Sequence, residues 1–131
     1  MASIFDIAGS AMNAQMLRLN TTASNMANAD SVSTTEAGAY RARQTVFATV
    51  MTDAASGQVA VPEIVESQTP VPKRYEPGNP MADADGYIYA SNVNAVEEMA
   101  NMISASRSYQ SNAEVFNTTK SLMLRTLQLG Q

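Results

Sequence analysis

The 131-residue sequence contains no cysteine and no histidine. The absence of cysteine excludes disulfide bonds and thiol chemistry. Histidine is the commonest general acid or base, and zinc, copper and iron sites rely on histidine or cysteine, so most templates of soluble enzymes are excluded as well. Glu97 and Glu98 could be imagined as paired carboxylates, but adjacent residues of a helix point in different directions. We therefore expect no enzyme, no catalytic residue, no metal site and no cofactor.

Basic residues and long apolar runs are also scarce. Eight Lys and Arg are scattered among twelve Asp and Glu, for a net charge of −4, which argues against nucleic-acid binding. No apolar run approaches the roughly 20 residues that a membrane-spanning helix needs. Residues 1–7 lack the basic and apolar regions of a cleaved secretory signal. We expect no membrane span, and either a cytoplasmic location or export without cleavage of the N-terminus.

The N-terminal segment has the periodicity of an amphipathic helix. Apolar residues recur there at spacings of three and four: Phe5, Ala8, Met12, Met16, Leu19, Ala23 and Met26. Ser3 followed by Asp6 is a weak capping-box pattern. The spacing predicts a helix over about residues 4–27.

The C-terminal segment is marked more strongly as a helix. Asn94 is a good N-cap residue, and Glu97 is placed to return a hydrogen bond to the cap amide. Gly130 stands where a C-terminal stop belongs. Apolar residues follow a four-three spacing typical of a coiled-coil seam, with Ser106 and Lys120 as polar interruptions: Met99, Met102, Tyr109, Ala113, Phe116, Met123 and Leu127.

A second apolar stripe runs beside this seam. Its members are Val96, Ile103, Val115, Leu122 and Leu129. One partner helix would cover only one stripe, so the second stripe indicates packing against other chains. The alternative is that the middle of the chain folds back over it.

The middle segment has a different composition. Residues 40–51, 58–66 and 86–89 have the character of strands, with Pro62 confining part of the second to a sheet edge. Residues 31–39 are predicted to form a flexible loop, and Pro70, Pro72, Pro77 and Pro80 exclude helix from the following stretch. The predicted fold is mainly α, with a coiled-coil-like pair of terminal helices (residues 1–30 and 92–131) and a β-rich insert (residues 31–91).

If the terminal helices mediate assembly, particular residues on them become candidates for the subunit interface. These are Phe5, Met12, Leu19, Asn20, Asn25, Met26, Asn28, Met99, Met102, Ile103, Tyr109, Phe116, Met123 and Leu127. The amides among them have two possible roles. They lie on solvated helix faces, or they sit in helix–helix contacts, where a buried amide sets the register at a cost in stability.

Several segments resemble the flagellar rod and hook family of axial proteins. Residues 20–31, NTTASNMANADS, resemble the motif shared across that family. Further segments resemble its short proximal-rod members, in order along nearly the whole chain: residues 40–43, 75–78, 82–87, 92–99, 102–110 and 127–130. Residues 52–69 match least. Hook and distal-rod relatives carry longer central insertions, so the length also fits a proximal-rod member.

The resemblance implies a structural subunit of the proximal rod, the part of the basal body that crosses the periplasm. It implies that the terminal helices line the inner wall of a helical tube. The implied partners are further copies of the chain, the rod proteins FlgB, FlgF and FlgG, and FliE. It also implies export through the flagellar type III apparatus, without cleavage of a signal peptide. A soluble helical adaptor or export chaperone remains the alternative, and would be well folded in isolation.

Overall fold

The computed structural model describes residues 3–53 and 56–130, and within them the chain forms two long helices separated by short and long strands. The elements in order are α1 Ile4–Ala27, β1 Val32–Ser33, β2 Arg43–Asp53, β3 Ser56–Glu66, β4 Lys73–Tyr75, β5 Tyr87–Ala90 and α2 Ala95–Leu129. The strands form two antiparallel sheets, one ordered β1-β5-β4 and the other the β2-β3 hairpin. The expectation of two terminal helices around a small β insert is confirmed. Residues 1, 2 and 131, at the ends of the predicted terminal segments, lie outside the described residues.

Local capping sets the ends of α1. The Ser3 hydroxyl accepts a hydrogen bond from the Asp6 amide at 3.2 Å, and the Ser3 amide donates to the Asp6 carboxylate at 2.9 Å. This reciprocal capping box satisfies two amides that the helix leaves without partners. The helix ends at Ala27, as predicted, where the Asn28 amide donates back to carbonyl oxygens of the last turn.

The start of α2 is capped by only half of the predicted box. The Asn94 side chain accepts from the Glu97 amide at 3.2 Å. The reciprocal bond from the Glu97 side chain to the Asn94 amide is not formed among the described residues, and the prediction for Glu97 is wrong in this respect. The Glu97 side chain instead lines a cavity between α2, α1 and β2.

The hairpin pairs Arg43 with Glu66 at its base, and its register shifts by one residue between Val46 and Ala48. Pro62 lies in the bulged stretch of β3 opposite, because proline has no N–H to donate to the ladder. The hairpin lies along α1. Asn25 near the end of α1 bonds to Arg43, and Ser10 near its start accepts a hydrogen bond from the Val59 amide at 3.1 Å.

Two short strands were not predicted. The segment expected to be a loop contains β1, in which Val32 pairs with Ala90 and Ser33 with Tyr89. Strand β4 pairs with the other edge of β5. Strands of two and three residues carry too little periodicity to be recognised in sequence, and both exist here because β5 supplies their partner groups.

The hydrophobic core is small and made mainly of alanine. The buried apolar residues are Ala8, Ala14, Ala39, Ala42, Val71, Ile88 and Ala105. Most of the larger apolar side chains of α2 therefore remain at least partly outside the core, and they define the surface described next.

Candidate subunit interface

The two long helices pack antiparallel over part of their length. Phe5 near the start of α1 meets Phe116 of α2, with ring centroids 4.8 Å apart and the planes at 70°. Near the other end, the Arg18 guanidinium donates to the Asn101 side chain at 3.3 Å. The edge-to-face contact between the Phe5 and Phe116 rings is a favoured aromatic geometry. Helix α1 therefore packs along α2 at least from Asn101 to Phe116.

The second stripe of α2 is not covered by the protomer. Its five members are exposed by 77% at Val96, 59% at Ile103, 48% at Val115, 58% at Leu122 and 88% at Leu129. The alternative in which the middle of the chain folds over this stripe is therefore wrong. The hairpin packs against α1 instead, and the smaller sheet gathers around β5.

The C-terminal part of α2 extends beyond α1. We call residues 117–130 the overhang, since they follow the contact between Phe116 and the start of α1. Every residue from 120 to 130 is exposed. At 1.5 Å per residue, the 13 helical residues after Phe116 project by roughly 20 Å. The overhang carries a cluster of exposed apolar side chains: Leu122, Met123, Leu124, Leu127 and Leu129.

The predicted interface residues divide by burial. Five are exposed: Asn20, Met99, Ile103, Met123 and Leu127. Eight are partly buried: Phe5, Met12, Leu19, Met26, Asn28, Met102, Tyr109 and Phe116. Only Asn25 is fully buried, at 1% exposure. The seam is thus occupied by α1 in its middle and open at both ends.

Asn25 joins α1 to the base of the hairpin. Its amide nitrogen donates to the Arg43 carbonyl at 2.8 Å, and its amide oxygen accepts from the Arg43 N–H at 2.9 Å. The Tyr40 hydroxyl also donates to that oxygen at 2.9 Å. One side chain thus completes the backbone pairing of the first hairpin residue, as a neighbouring strand would.

Asn92 makes a similar joint just before α2. Its oxygen accepts from the Ala42 amide at 2.6 Å, and its nitrogen donates to the Thr69 carbonyl at 2.8 Å. Next to it, the Ser91 hydroxyl donates to the Ala29 carbonyl at 2.6 Å. The two amides therefore hold the end of α1, both ends of the hairpin and the start of α2 together. Sequence reasoning singled out Asn25 but assigned no role to Asn92, because each partner lies far away along the chain.

Among the described residues, Asp6 is an ionisable side chain whose environment is clearly altered. Hydrogen bonds from the Ser3 backbone and then the Ser3 hydroxyl hold the pKa of the Asp6 carboxyl below its ordinary value. Both bonds are made to the charged form, which they favour. This shift belongs to the helix cap and indicates no catalytic role.

Neither a metal centre nor a membrane helix is present in the described part of the chain. No three residues among His, Cys, Asp and Glu are placed there to share a metal ion. Neither helix is both long enough and apolar enough to cross a membrane.

Two family models and several known proteins match this chain. Residues 5–33 match the family described as flagella basal body rod protein, and residues 84–129 match the C-terminal family of the flagellar basal body rod FlgEFG proteins. The chain is 58% identical over 130 residues to the flagellar basal-body rod protein FlgC of Escherichia coli O6:H1, covering 98% of this chain and 97% of that protein. It is 58% identical over 133 residues to the FlgC of Salmonella typhimurium, with the same coverage. The FlgC of Buchnera aphidicola from Acyrthosiphon pisum is 45% identical over 132 residues, again covering 98% and 97%.

Proposed function

Because the chain belongs to the FlgC family of flagellar basal-body rod proteins, we propose that it assembles into the rod through its two terminal helices. It is a structural subunit of the rod of the flagellar basal body, and it is not an enzyme. The single observation that carries the proposed mode of assembly is the second stripe of α2, which the described residues of the protomer leave exposed.

The energetics of this stripe favour contact with more than one neighbour. Burying one Val, Leu or Ile side chain contributes about 1.5–3 kcal/mol. The five residues of the stripe are on average roughly two-thirds exposed, so burying the exposed part contributes roughly 5–10 kcal/mol by the same scale, which is comparable with the roughly 4–15 kcal/mol that association costs. One contact would be marginal, whereas a subunit surrounded by neighbours would be held firmly. Such an arrangement suits a shaft that transmits torque.

The finer assignment follows the division of the chain. We propose that residues 1–30 and 92–131 form the inner axial core and that residues 31–91 lie further out. The exposed ends of the seam, at Met99 and at Met123 with Leu127, would extend the helix pair into coiled-coil-like contacts between subunits. Asn20 and Ile103 lie exposed beside them. The partly buried candidates would support this surface from within the protomer.

The partners proposed are further copies of the chain, FlgB, FlgF and FlgG of the rod, and FliE. The location proposed is the proximal rod within the periplasm. We propose that the chain reaches it through the flagellar type III export apparatus without losing an N-terminal signal peptide. The support is the family membership.

Substitution of Leu127 by glutamate tests this function. Leu127 is 67% exposed, so the change should leave the protomer folded while placing a charge in the assembled interface. In a strain that lacks its own copy, the Leu127→Glu gene should fail to restore swimming in soft agar, and the chain should be missing from purified basal bodies.

The matched control is Thr34→Glu, which adds the same charge at an exposed loop position. This variant should swim normally. Normal swimming by Leu127→Glu, with the variant present in basal bodies, would exclude the overhang from the interface.

A further inference from the structure

A cavity of about 470 Å³ lies where α1, β2 and the first turns of α2 meet. Its charged lining residues are Arg18, Arg43, Glu97 and Glu98, and Phe47 adds an apolar side chain that is 41% exposed. Neither the side-chain hydrogen bonds of Asn25 and Asn92 nor the second stripe of α2 accounts for this cavity. Its volume is in the range of pockets that hold a ligand or a large side chain.

Glu98 is the unusual member of this lining. It is only 6% exposed, yet no hydrogen bond or ion pair within residues 3–51 and 57–130 involves its side chain. The one ion pair in that part of the chain joins Arg74 and Glu76, at 3.8 Å. The carboxylate oxygens are not sealed from solvent, since the one buried side-chain oxygen without a hydrogen-bond partner in the described part of the chain is Gln15 Oε1. The N-terminal end of α2 favours a negative charge but does not donate a hydrogen bond to this one.

The basic residues of the same cavity do not form an ion pair with Glu98. Arg18 donates to Asn101 at 3.3 Å, and the Arg43 guanidinium lies 6.0 Å from the centroid of the Tyr40 ring. Neither is within ion-pair distance of Glu97 or Glu98. The site therefore combines a carboxylate on a residue that is only 6% exposed, and that has no protein partner within the described residues, with the open space of the cavity that it lines.

The overhang has the complementary chemistry. Residues 117–131 contain two basic residues and no acidic one, whereas the rest of the chain contains twelve acidic and six basic residues. Arg125 lies three residues after Leu122 and four before Leu129, so these side chains share one helix face. Both leucines are exposed, at 58% and 88%. An arginine between two leucines can pair with a carboxylate while its neighbours exclude water.

This pairing cannot form within one protomer. Glu98 and Arg125 belong to the same continuous helix, and their separation of 27 residues corresponds to roughly 40 Å. We propose that the cavity is a socket for the C-terminal helix end of a neighbouring rod subunit, one that presents a basic side chain between leucines to Glu98. The contact is heterologous and repeats without closing, as an open helical assembly requires. This inference rests on the proposed assembly through the terminal helices and assigns one of its contacts.

The test measures binding of a labelled peptide to the purified full chain by fluorescence anisotropy. The peptide consists of residues 115–131. We expect saturable binding that weakens as NaCl is raised, because the pair is electrostatic. Glu98→Gln, which keeps the side-chain shape, should weaken binding at least tenfold. A peptide with Arg125→Gln should lose at least tenfold against the unchanged protein, so the result does not depend on the folding of a protein variant.

Two controls distinguish the pairing of Glu98 with Arg125 from a general electrostatic attraction between the protein and the peptide. Glu36→Gln removes an exposed carboxylate from the loop and should leave the affinity unchanged. A peptide with Lys120→Gln should bind within about threefold of the original, since Lys120 lies on the seam face and its loss removes only a general electrostatic attraction.

Equal binding by the Glu98→Gln and unchanged proteins, or no saturable binding, would overturn the inference. Competition by inorganic phosphate that persists in Glu98→Gln would also overturn it, since it would mark an anion site formed by Arg18 and Arg43. In any of these cases, failure of Leu127→Glu to restore swimming would still support assembly through the helices. The failure of this contact is thus distinguishable from failure of the proposed function.

Discussion

Replacing Asn25 by alanine removes the amide that joins α1 to the hairpin. Three hydrogen bonds of 2.8–2.9 Å are lost, two with the Arg43 backbone and one with the Tyr40 hydroxyl. Tyr40 keeps a contact, since its hydroxyl lies 3.3 Å from that of Ser24. The Arg43 N–H and carbonyl are the groups left without their side-chain partner.

The size of the effect follows from those two backbone groups. A polar group left unpaired on burial costs about 1–3 kcal/mol. Alanine returns roughly 0.6 kcal/mol through its higher helix propensity. Two such groups cost about 2–6 kcal/mol. After the propensity gain we expect Asn25→Ala to lower the free energy of unfolding by about 1.5–5.5 kcal/mol, a large part of the roughly 5–15 kcal/mol typical of a domain.

The assay is urea denaturation of the purified chain followed by circular dichroism at 222 nm, with Asn20→Ala as the matched control. Asn20 lies on the same helix but is exposed and makes no side-chain hydrogen bond within the described residues. Its replacement should stabilise the chain slightly, because only the propensity term remains. A difference of less than about 1 kcal/mol between the stabilities of the two variants would contradict this reasoning, because it is no larger than the net contribution of a single hydrogen bond. The Asn25 side chain would then not hold the hairpin on α1.

Two further predictions concern local geometry. Gly86 has φ +86°, and a Cβ added there would lie 2.9 Å from the Tyr75 ring. Because an L residue is strained in the left-handed region, Gly86→Ala should destabilise the chain by about 1–2 kcal/mol in the same assay. Gly78→Ala, where no atom lies within 4 Å of the new Cβ, should have little effect. For Asp6, whose folded pKa is lowered by Ser3, the stabilising effect of the carboxylate should be complete above the unfolded value of about 3.9 and lost as pH falls through the folded pKa. The difference in urea midpoint between the unchanged chain and Asp6→Asn should therefore narrow as pH falls below about 5 and close once pH is below the folded pKa. A difference that stays constant would contradict the capping role.

The ends of both helices could be predicted because capping is local. Ser3 with Asp6, Asn94 before the Glu97 amide and Gly130 after Leu129 act within a few residues of one another. The same locality explains the error in the predicted capping role of Glu97. Glu97 is at the right spacing for a capping box, but the cavity beside it gives its side chain another environment.

The roles of the buried polar residues could not be predicted from spacing. For Asn25 the sequence left open a solvated helix face or a contact between helices, while its partners are the backbone of Arg43 and the hydroxyl of Tyr40. Asn92 bonds to residues 23 and 50 positions away. Hydrogen bonds over such separations depend on the path of the whole chain, which periodicity does not describe.

The amino-acid sequence by itself determined the two helices, their polar and apolar faces, and the presence of one stripe more than a single partner helix can cover. These follow from helical periodicity and from capping by near neighbours. Only the tertiary structure decided which surfaces stay open. It placed the hairpin on α1 rather than on α2, and it left the seam exposed at Met99, Met123 and Leu127. It left Val96, Ile103, Val115, Leu122 and Leu129 exposed. Burial depends on where distant segments pack, and for this rod subunit that packing determines what remains available to its neighbours.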